Sequence, residues 1–144
     1  MVKSYVEKVE VNEKVYPVVK DFMIDPPVTF NTSDEIYIAM KTLLSFGVSG
    51  APVLDDKGLL AGFISERDCL RLVALNVYHN SRRSGIIEDY MTGREGLTTV
   101  DTQTDLYKVA QLFVQLPYKK LLVVENEKLL GVVRRGDVLK VVQQ

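Results

Sequence analysis

A single cysteine, Cys69, excludes an internal disulfide, which suits a reducing compartment. One histidine, His79, added to that cysteine falls short of the four N/S ligands of a usual zinc site, so no metal is expected. An excess of one charge sign is missing too. Eighteen Lys and Arg stand against 19 Asp and Glu, and the net charge of −1 offers no basic field to nucleic acid or an anionic membrane. No run reaches the roughly 18 apolar residues of a membrane span. The start, Met1-Val2-Lys3-Ser4-Tyr5-Val6-Glu7, has no apolar core of signal-peptide length, so a soluble, cytoplasmic protein is expected. Neither Gly-x-x-x-x-Gly-Lys-Ser/Thr nor Gly-x-Gly-x-x-Gly occurs, which removes a P-loop and a dinucleotide fold. No serine or cysteine has a base beside it in sequence, and no enzyme is expected.

What is present is duplication. Val19-Lys20-Asp21-Phe22-Met23 returns as Ile87-Glu88-Asp89-Tyr90-Met91, and Gly62-Phe63-Ile64-Ser65-Glu66-Arg67-Asp68 returns as Gly131-Val132-Val133-Arg134-Arg135-Gly136-Asp137. The offset is 68 residues at Met23/Met91, 69 at Gly62/Gly131 and 70 at Thr29/Thr99. Identities recur at Thr32/Thr102, Tyr37/Tyr107, Val53/Val123, Asp68/Asp137 and Leu70/Leu139. A unit of about 50 residues is too small for a good core of its own, so the copies are expected to pack together and leave a shared crevice.

Each copy reads in one order. A short helical turn carries Asp21-Phe22-Met23, and Pro26-Pro27 enforce an extended entry to a strand at Val28-Thr29-Phe30. Thr32-Ser33-Asp34-Glu35 has the form of a capping box, and Ile36, Ala39, Met40, Leu43, Leu44 and Phe46 follow helical spacing up to Gly47. Ala51-Pro52-Val53-Leu54 and Leu59 to Ile64 form a hairpin about Asp55-Asp56-Lys57-Gly58, and Ser65-Glu66-Arg67-Asp68 opens a last helix with Leu70, Leu72, Val73 and Leu75. The second copy has a cap at Thr102-Gln103-Thr104-Asp105, a hairpin about Glu125-Asn126-Glu127-Lys128, and a final helix from Asp137 to Val142. Tyr37 and Tyr107 are expected to pack on the amphipathic helices, and Cys69 in the core. Strand, helix, strand, strand, helix, twice over, gives an α+β arrangement. The divisions are an arm over 1–18, repeats over 19–77 and 87–144, and a polar linker over 78–86.

In these features the chain resembles a tandem pair of cystathionine-β-synthase (CBS) domains, a Bateman module. The matching residues are Asp21-Phe22-Met23 and Asp89-Tyr90-Met91, Gly50-Ala51-Pro52-Val53, and the Gly62-to-Asp68 segment with its Ser-x-x-Asp end. The resemblance implies two β-α-β-β-α repeats packed with pseudo-two-fold symmetry. It implies a stand-alone regulatory module that binds an adenosyl ligand, such as AMP, ADP, ATP or S-adenosylmethionine, and that pairs through its helices into a homodimer. It implies that no cofactor is required, and that the regulated target is another, unidentified chain unless regulation is absent.

An ionised Asp68 at a helix start can accept from both ribose hydroxyls, and the same helix N-terminus favours an anion. Ser65, three residues earlier, can face the same ligand. Thr29 and Phe30, with Gly50, Ala51 and Pro52, resemble the family's base-binding wall. Equally, Ser65-x-x-Asp68 serves as a capping box that satisfies amides and nothing more. The second copy keeps Asp137 but puts Arg134 in place of Ser65 and Leu122 in place of Pro52. Arg134, Arg135 and Lys120 can reach across the crevice to phosphates, or form a solvated positive rim, as Arg82 and Arg83 do in the linker. Degenerate pockets on a dimerisation scaffold are the alternative to a sensor.

Overall fold

The structure, a computed structural model, describes residues 16–79 and 85–144, with the side chains of 76–79 left out. The expected strand or arm before Tyr16, Arg82 and Arg83 of the linker, and the His79 side chain therefore lie outside the described residues. The elements follow the expected order twice. After a helical turn α1 (Val19–Phe22) come strand β1 (Phe30–Asn31), helix α2 (Ile36–Phe46), strands β2 (Gly50–Leu54) and β3 (Leu60–Ser65), and helix α3 (Glu66–His79). A 3-10 turn at Ile87–Asp89 and strand β4 (Thr92–Gly93) precede a second 3-10 turn, Arg94–Gly96. The second copy is β5 (Thr99–Val100), α4 (Leu106–Gln115), β6 (Lys120–Glu125), β7 (Lys128–Arg134) and α5 (Arg135–Gln143).

Two sheets result, β1-β2-β3-β4 and β5-β6-β7. In each, the first strand runs parallel to the second and the hairpin is antiparallel. The turns obey local chemistry. Gly47 takes the left-handed conformation (φ 64°) and ends α2 with its N–H on the Leu43 and Leu44 carbonyls. Asp55 Oδ1 accepts from the N–H groups of Lys57 and Leu59, and the second hairpin turns on Asn126 and Glu127, both at positive φ.

β2 is buried at Gly50, Ala51, Pro52 and Val53 because both its faces are covered. One face meets helices: Ala51, Val53 and Ile64 join Ile36, Ala39 and Leu43 of α2 and Cys69 and Leu72 of α3. The other meets the opposite repeat, where Leu60, Leu54 and Phe63 pack with Leu122, Val124, Val132 and Leu129. A bulge recurs at the same place in both hairpins, between Val53 and Leu54 and between Val123 and Val124.

The entry turns are exchanged. Val19, Phe22 and Met23 pack in the core of the second copy, with Val100, Val109, Leu121, Val123 and Val133. Ile87, Tyr90 and Met91 pack in the core of the first. Backbone bonds lock the exchange: the Val19 N–H donates to the Thr104 carbonyl (2.8 Å) and the Ile87 N–H to that of Asp34 (2.8 Å). The duplicated glycines explain why this geometry needs no side chain there. A β-carbon at Gly62 would collide with the Thr92 carbonyl and stand 2.8 Å from Met91 Sδ; one at Gly131 would stand 2.9 Å from the Ile24 carbonyl and 3.0 Å from Met23 Sδ. Each repeated methionine thus sits on the repeated glycine of the other copy.

Three local expectations are corrected. Thr32 and Glu35 form no capping box; Asn31 Oδ1 accepts from the Ser33 N–H (2.9 Å) and Asp34 Oδ2 from the Asn31 N–H (2.8 Å), a turn that delays α2 to Ile36. In the second copy Asp105 itself caps α4 through the Lys108 N–H (2.8 Å), while the Thr102 hydroxyl donates to Glu125 (3.3 Å). Tyr107 does not pack into the core of its helix. It is 61% exposed and its ring stacks on Tyr16, with centroids 6.3 Å apart.

Candidate functional site

The two halves enclose a cavity of about 650 Å³, within the size range of small-ligand sites. The first repeat contributes Ser49, Phe63 and the start of α3, namely Ser65, Glu66, Arg67, Asp68 and, one turn on, Arg71. The facing wall is Gly96, Leu97 and Thr98, then Pro117, Tyr118, Lys119, Lys120 and Leu122; Thr92 of β4 closes one edge.

The start of α3 is a reciprocal cap. The Asp68 N–H donates to Ser65 Oγ (3.2 Å), and Asp68 Oδ2 accepts from the Ser65 N–H and hydroxyl, both at 2.9 Å. Capping therefore occurs, and it leaves chemistry over. Asp68 is 6% exposed, and among the described residues its Oδ1 meets only Arg71, at 3.4 Å, whose side chain is 57% exposed. A carboxylate has about four acceptor positions, so Oδ1 keeps capacity for a hydroxyl donor from the cavity.

The corresponding acid in the second repeat is committed differently. Asp137 Oδ2 accepts from the Arg134 N–H (2.8 Å) and Nε (3.0 Å), and Oδ1 from Nη2 (2.8 Å). Burial by itself would raise the Asp137 carboxyl; the Arg134 side-chain and backbone bonds and the nearby charges of Arg134 and Lys140 outweigh it and hold the group below the usual carboxylate range. The same bond raises Arg134. Arg134 thus turns back onto its own repeat.

Lys120 bridges the halves. Its Nζ donates to the Gly50 carbonyl, its repeat counterpart, at 3.1 Å and lies 5.9 Å from the centre of the Phe63 ring. Burial, helped by the charge of Arg134, lowers its pKa. Burial, then Asp68 and Glu66, raise the Cys69 thiol, which stays an inert core group.

Of the residues singled out in sequence, Ser65, Asp68 and Lys120 come together in this cavity. Thr29, Phe30, Gly50, Ala51, Pro52, Arg134, Arg135 and Asp137 are outside its lining. Phe30, Ala51 and Pro52 are buried in the fold, Gly50 touches the site only through its carbonyl, and Thr29 and Arg135 are exposed. The wall facing Asp68 is built instead by the second repeat. Phe63, Arg71, Thr98, Tyr118 and Lys119 were missed in sequence. The duplication held the signal: halves that meet face to face wall each crevice with the opposite copy, so Thr98 and Leu122 replace their counterparts Val28 and Pro52. Among the described residues no group of three or more His, Cys, Asp or Glu could hold a metal, and no helix is long and apolar enough to cross a membrane.

Known proteins share this arrangement. The CBS-domain pattern matches residues 19–75 and 87–144. The mitochondrial CBS domain-containing protein CBSX3 of Arabidopsis thaliana is 31% identical over 113 residues, covering 77% of this chain and 54% of its own length. The chain spans 41% and 54% of the length of two of the curated relatives it matches. The crystal structure of CBSX2, also from Arabidopsis thaliana, in complex with AMP matches with a TM-score of 0.74 at 28% identity, over 89% of this chain and 97% of that one. The CBS domain pair of protein MJ0100, in complex with 5′-methylthioadenosine and S-adenosyl-L-methionine, matches with a TM-score of 0.69 at 25% identity, over 87% and 98%.

Proposed function

Because this chain belongs to the CBS-domain family and carries two copies of that domain in tandem, we propose that it is a regulatory module that binds an adenosyl ligand in the crevice beside Asp68. The ligand class is AMP, ADP, ATP or S-adenosylmethionine, and the role is sensing rather than catalysis. One observation carries the reading: a cavity of about 650 Å³ with Asp68 on one repeat and an apolar and cationic wall on the other. The base lies against Phe63, Leu97 and Leu122, and Asp68 Oδ1 accepts from the ribose. The solved relatives with AMP and with S-adenosyl-L-methionine support the ligand class. The counterpart acid, Asp137, is held by Arg134, so the first crevice is the one that binds.

Calorimetric titration with AMP and S-adenosylmethionine tests the proposal. Asp68→Ala is expected to weaken binding by about 1.5–3 kcal/mol, the worth of a charged hydrogen bond. Unchanged affinity in a variant that still melts cooperatively would remove Asp68 from the site.

Self-association has its own support. Leu44 and Phe46 of α2, Leu70 of α3, Val114 of α4 and Leu139 and Val142 of α5 are exposed apolar side chains on the helices of both repeats. We read these faces as the surface of a homodimer. Sedimentation that returns a monomer at tens of micromolar concentration would refute it.

A further inference from the structure

The cavity carries more positive charge than recognition of an adenosine needs. Four cations line it, Arg67, Arg71, Lys119 and Lys120, against two carboxylates, Glu66 and Asp68. Asp68 already serves the cap with Oδ2, and Glu66 is exposed at the mouth. The cations are spread over both walls: Arg67 and Arg71 lie on the first turns of α3, Lys119 and Lys120 on the entry to β6. Three of them, Arg67, Arg71 and Lys119, are exposed at the rim, and the fourth, Lys120, lies half-buried, where the described residues give it the Gly50 carbonyl, the Phe63 ring face and the like charge of Arg134.

Such a constellation discriminates by charge. A phosphate entering between α3 and β6 gains charge-assisted bonds from several donors at once, with Arg suited to bidentate contact and Lys to point-charge contact. It also gives Lys120 a counter-charge, which none of the ion pairs among the described residues supplies. A sulfonium in the same place meets like charge, and a neutral nucleoside gains nothing from the cations. We infer that this crevice selects adenine nucleotides bearing a 5′-phosphate over S-adenosylmethionine, 5′-methylthioadenosine and adenosine, with Lys119, Lys120 and Arg71 as the residues that set the choice. The inference rests on the adenosyl-binding reading above and narrows it to one chemical class. Arg71 has a double position, since the same guanidinium that shields Asp68 Oδ1 at 3.4 Å is free to leave it for phosphate when the ribose hydroxyls arrive.

The test is one calorimetric series on the whole chain with adenosine, 5′-methylthioadenosine, S-adenosylmethionine, AMP and ATP, at low and high salt. AMP or ATP is expected to bind at least about tenfold tighter than the uncharged nucleosides and than S-adenosylmethionine, and the margin should shrink as salt screens the rim. Lys119→Gln, at an exposed position away from Asp68, should erode the AMP affinity severalfold and the adenosine affinity far less, whereas Arg71→Gln should weaken AMP while also uncovering Asp68 Oδ1 for the ribose. S-adenosylmethionine or methylthioadenosine binding as tightly as AMP would overturn the selectivity while leaving an adenosyl site in place. Absence of binding by every ligand, adenosine included, would overturn the parent reading as well.

Discussion

Gly62 and Gly93 face each other across the β3–β4 ladder, yet the structure assigns them opposite responses to one added methyl group. At Gly62 a β-carbon runs into the Thr92 carbonyl and lies 2.8 Å from Met91 Sδ. The backbone carbonyl cannot give way without detaching β4, and the methionine is wedged in the first core. Overpacking of this kind costs about 1–3 kcal/mol, and contact with backbone puts Gly62→Ala in the upper half of that range. For a chain near 150 residues each kcal/mol moves Tm by about 2–4 °C, so the melt should fall by roughly 4–12 °C. At Gly93 nothing lies within 4 Å of the position, and φ is −75°, open to any residue. Gly93→Ala should be neutral or stabilise by up to about 1 kcal/mol through the unfolded chain. Thermal melts of the two variants followed by circular dichroism decide the matter. Two variants with the same Tm would show that the close approach of the exchanged entry turn is not why a glycine stands at position 62. The functional consequence runs the same way, because β4 and the turn after it supply Thr92, Gly96, Leu97 and Thr98 to the cavity.

Further outcomes follow from the unequal repeats. Arg134→Ser restores Ser-x-x-Asp in the second copy and frees Asp137, so calorimetric stoichiometry with AMP should rise from one to two per chain; a native stoichiometry of two would refute the self-occupied second crevice. In acid, Asp137 contributes stability that is fully present above its unfolded pKa, about 3.9, and is lost as pH falls through its lower folded value. Asp137→Asn should therefore flatten the acid limb of a stability-versus-pH curve, and an unaltered limb would contradict the depressed pKa.

The sequence made the elements legible because their signals are local. Gly47 ends α2 and Asp55 turns the first hairpin through bonds that span fewer than five residues. Ser65 and Asp68 were readable for the same reason. What local signals could not carry was the partner of each entry turn: Asp21-Phe22-Met23 reads as the start of the first repeat, but Val19 and Met23 lie in the core of the second. That exchange is long-range, as is the meeting of the halves that lines the cavity with Lys119, Lys120 and Leu122. Arg134 shows the same limit at shorter range. Its replacement of a serine was plain, but a long side chain can bend to a carboxylate three residues away or extend across a crevice. The bidentate geometry on Asp137, itself only 6% exposed, selects the first.

Exchange of the entry turns also limits how such a module can respond to a ligand. Pulling the halves apart would withdraw Val19 and Ile87 from cores in which both are fully buried, at about 1.5–3 kcal/mol for each such side chain, and would break the backbone bonds at Thr104 and Asp34 as well. Opening is therefore the expensive route, and small rotation at the seam of Leu60, Leu122, Val124 and Val132 is the cheaper one. A ligand shifts that rotation only by the difference in its affinity for the two arrangements. The bond from Lys120 to the Gly50 carbonyl ties one half to the other across the cavity. A phosphate that recruited the Lys120 ammonium would compete with that tie, so the proposed phosphate contact would bear directly on the relative position of the repeats.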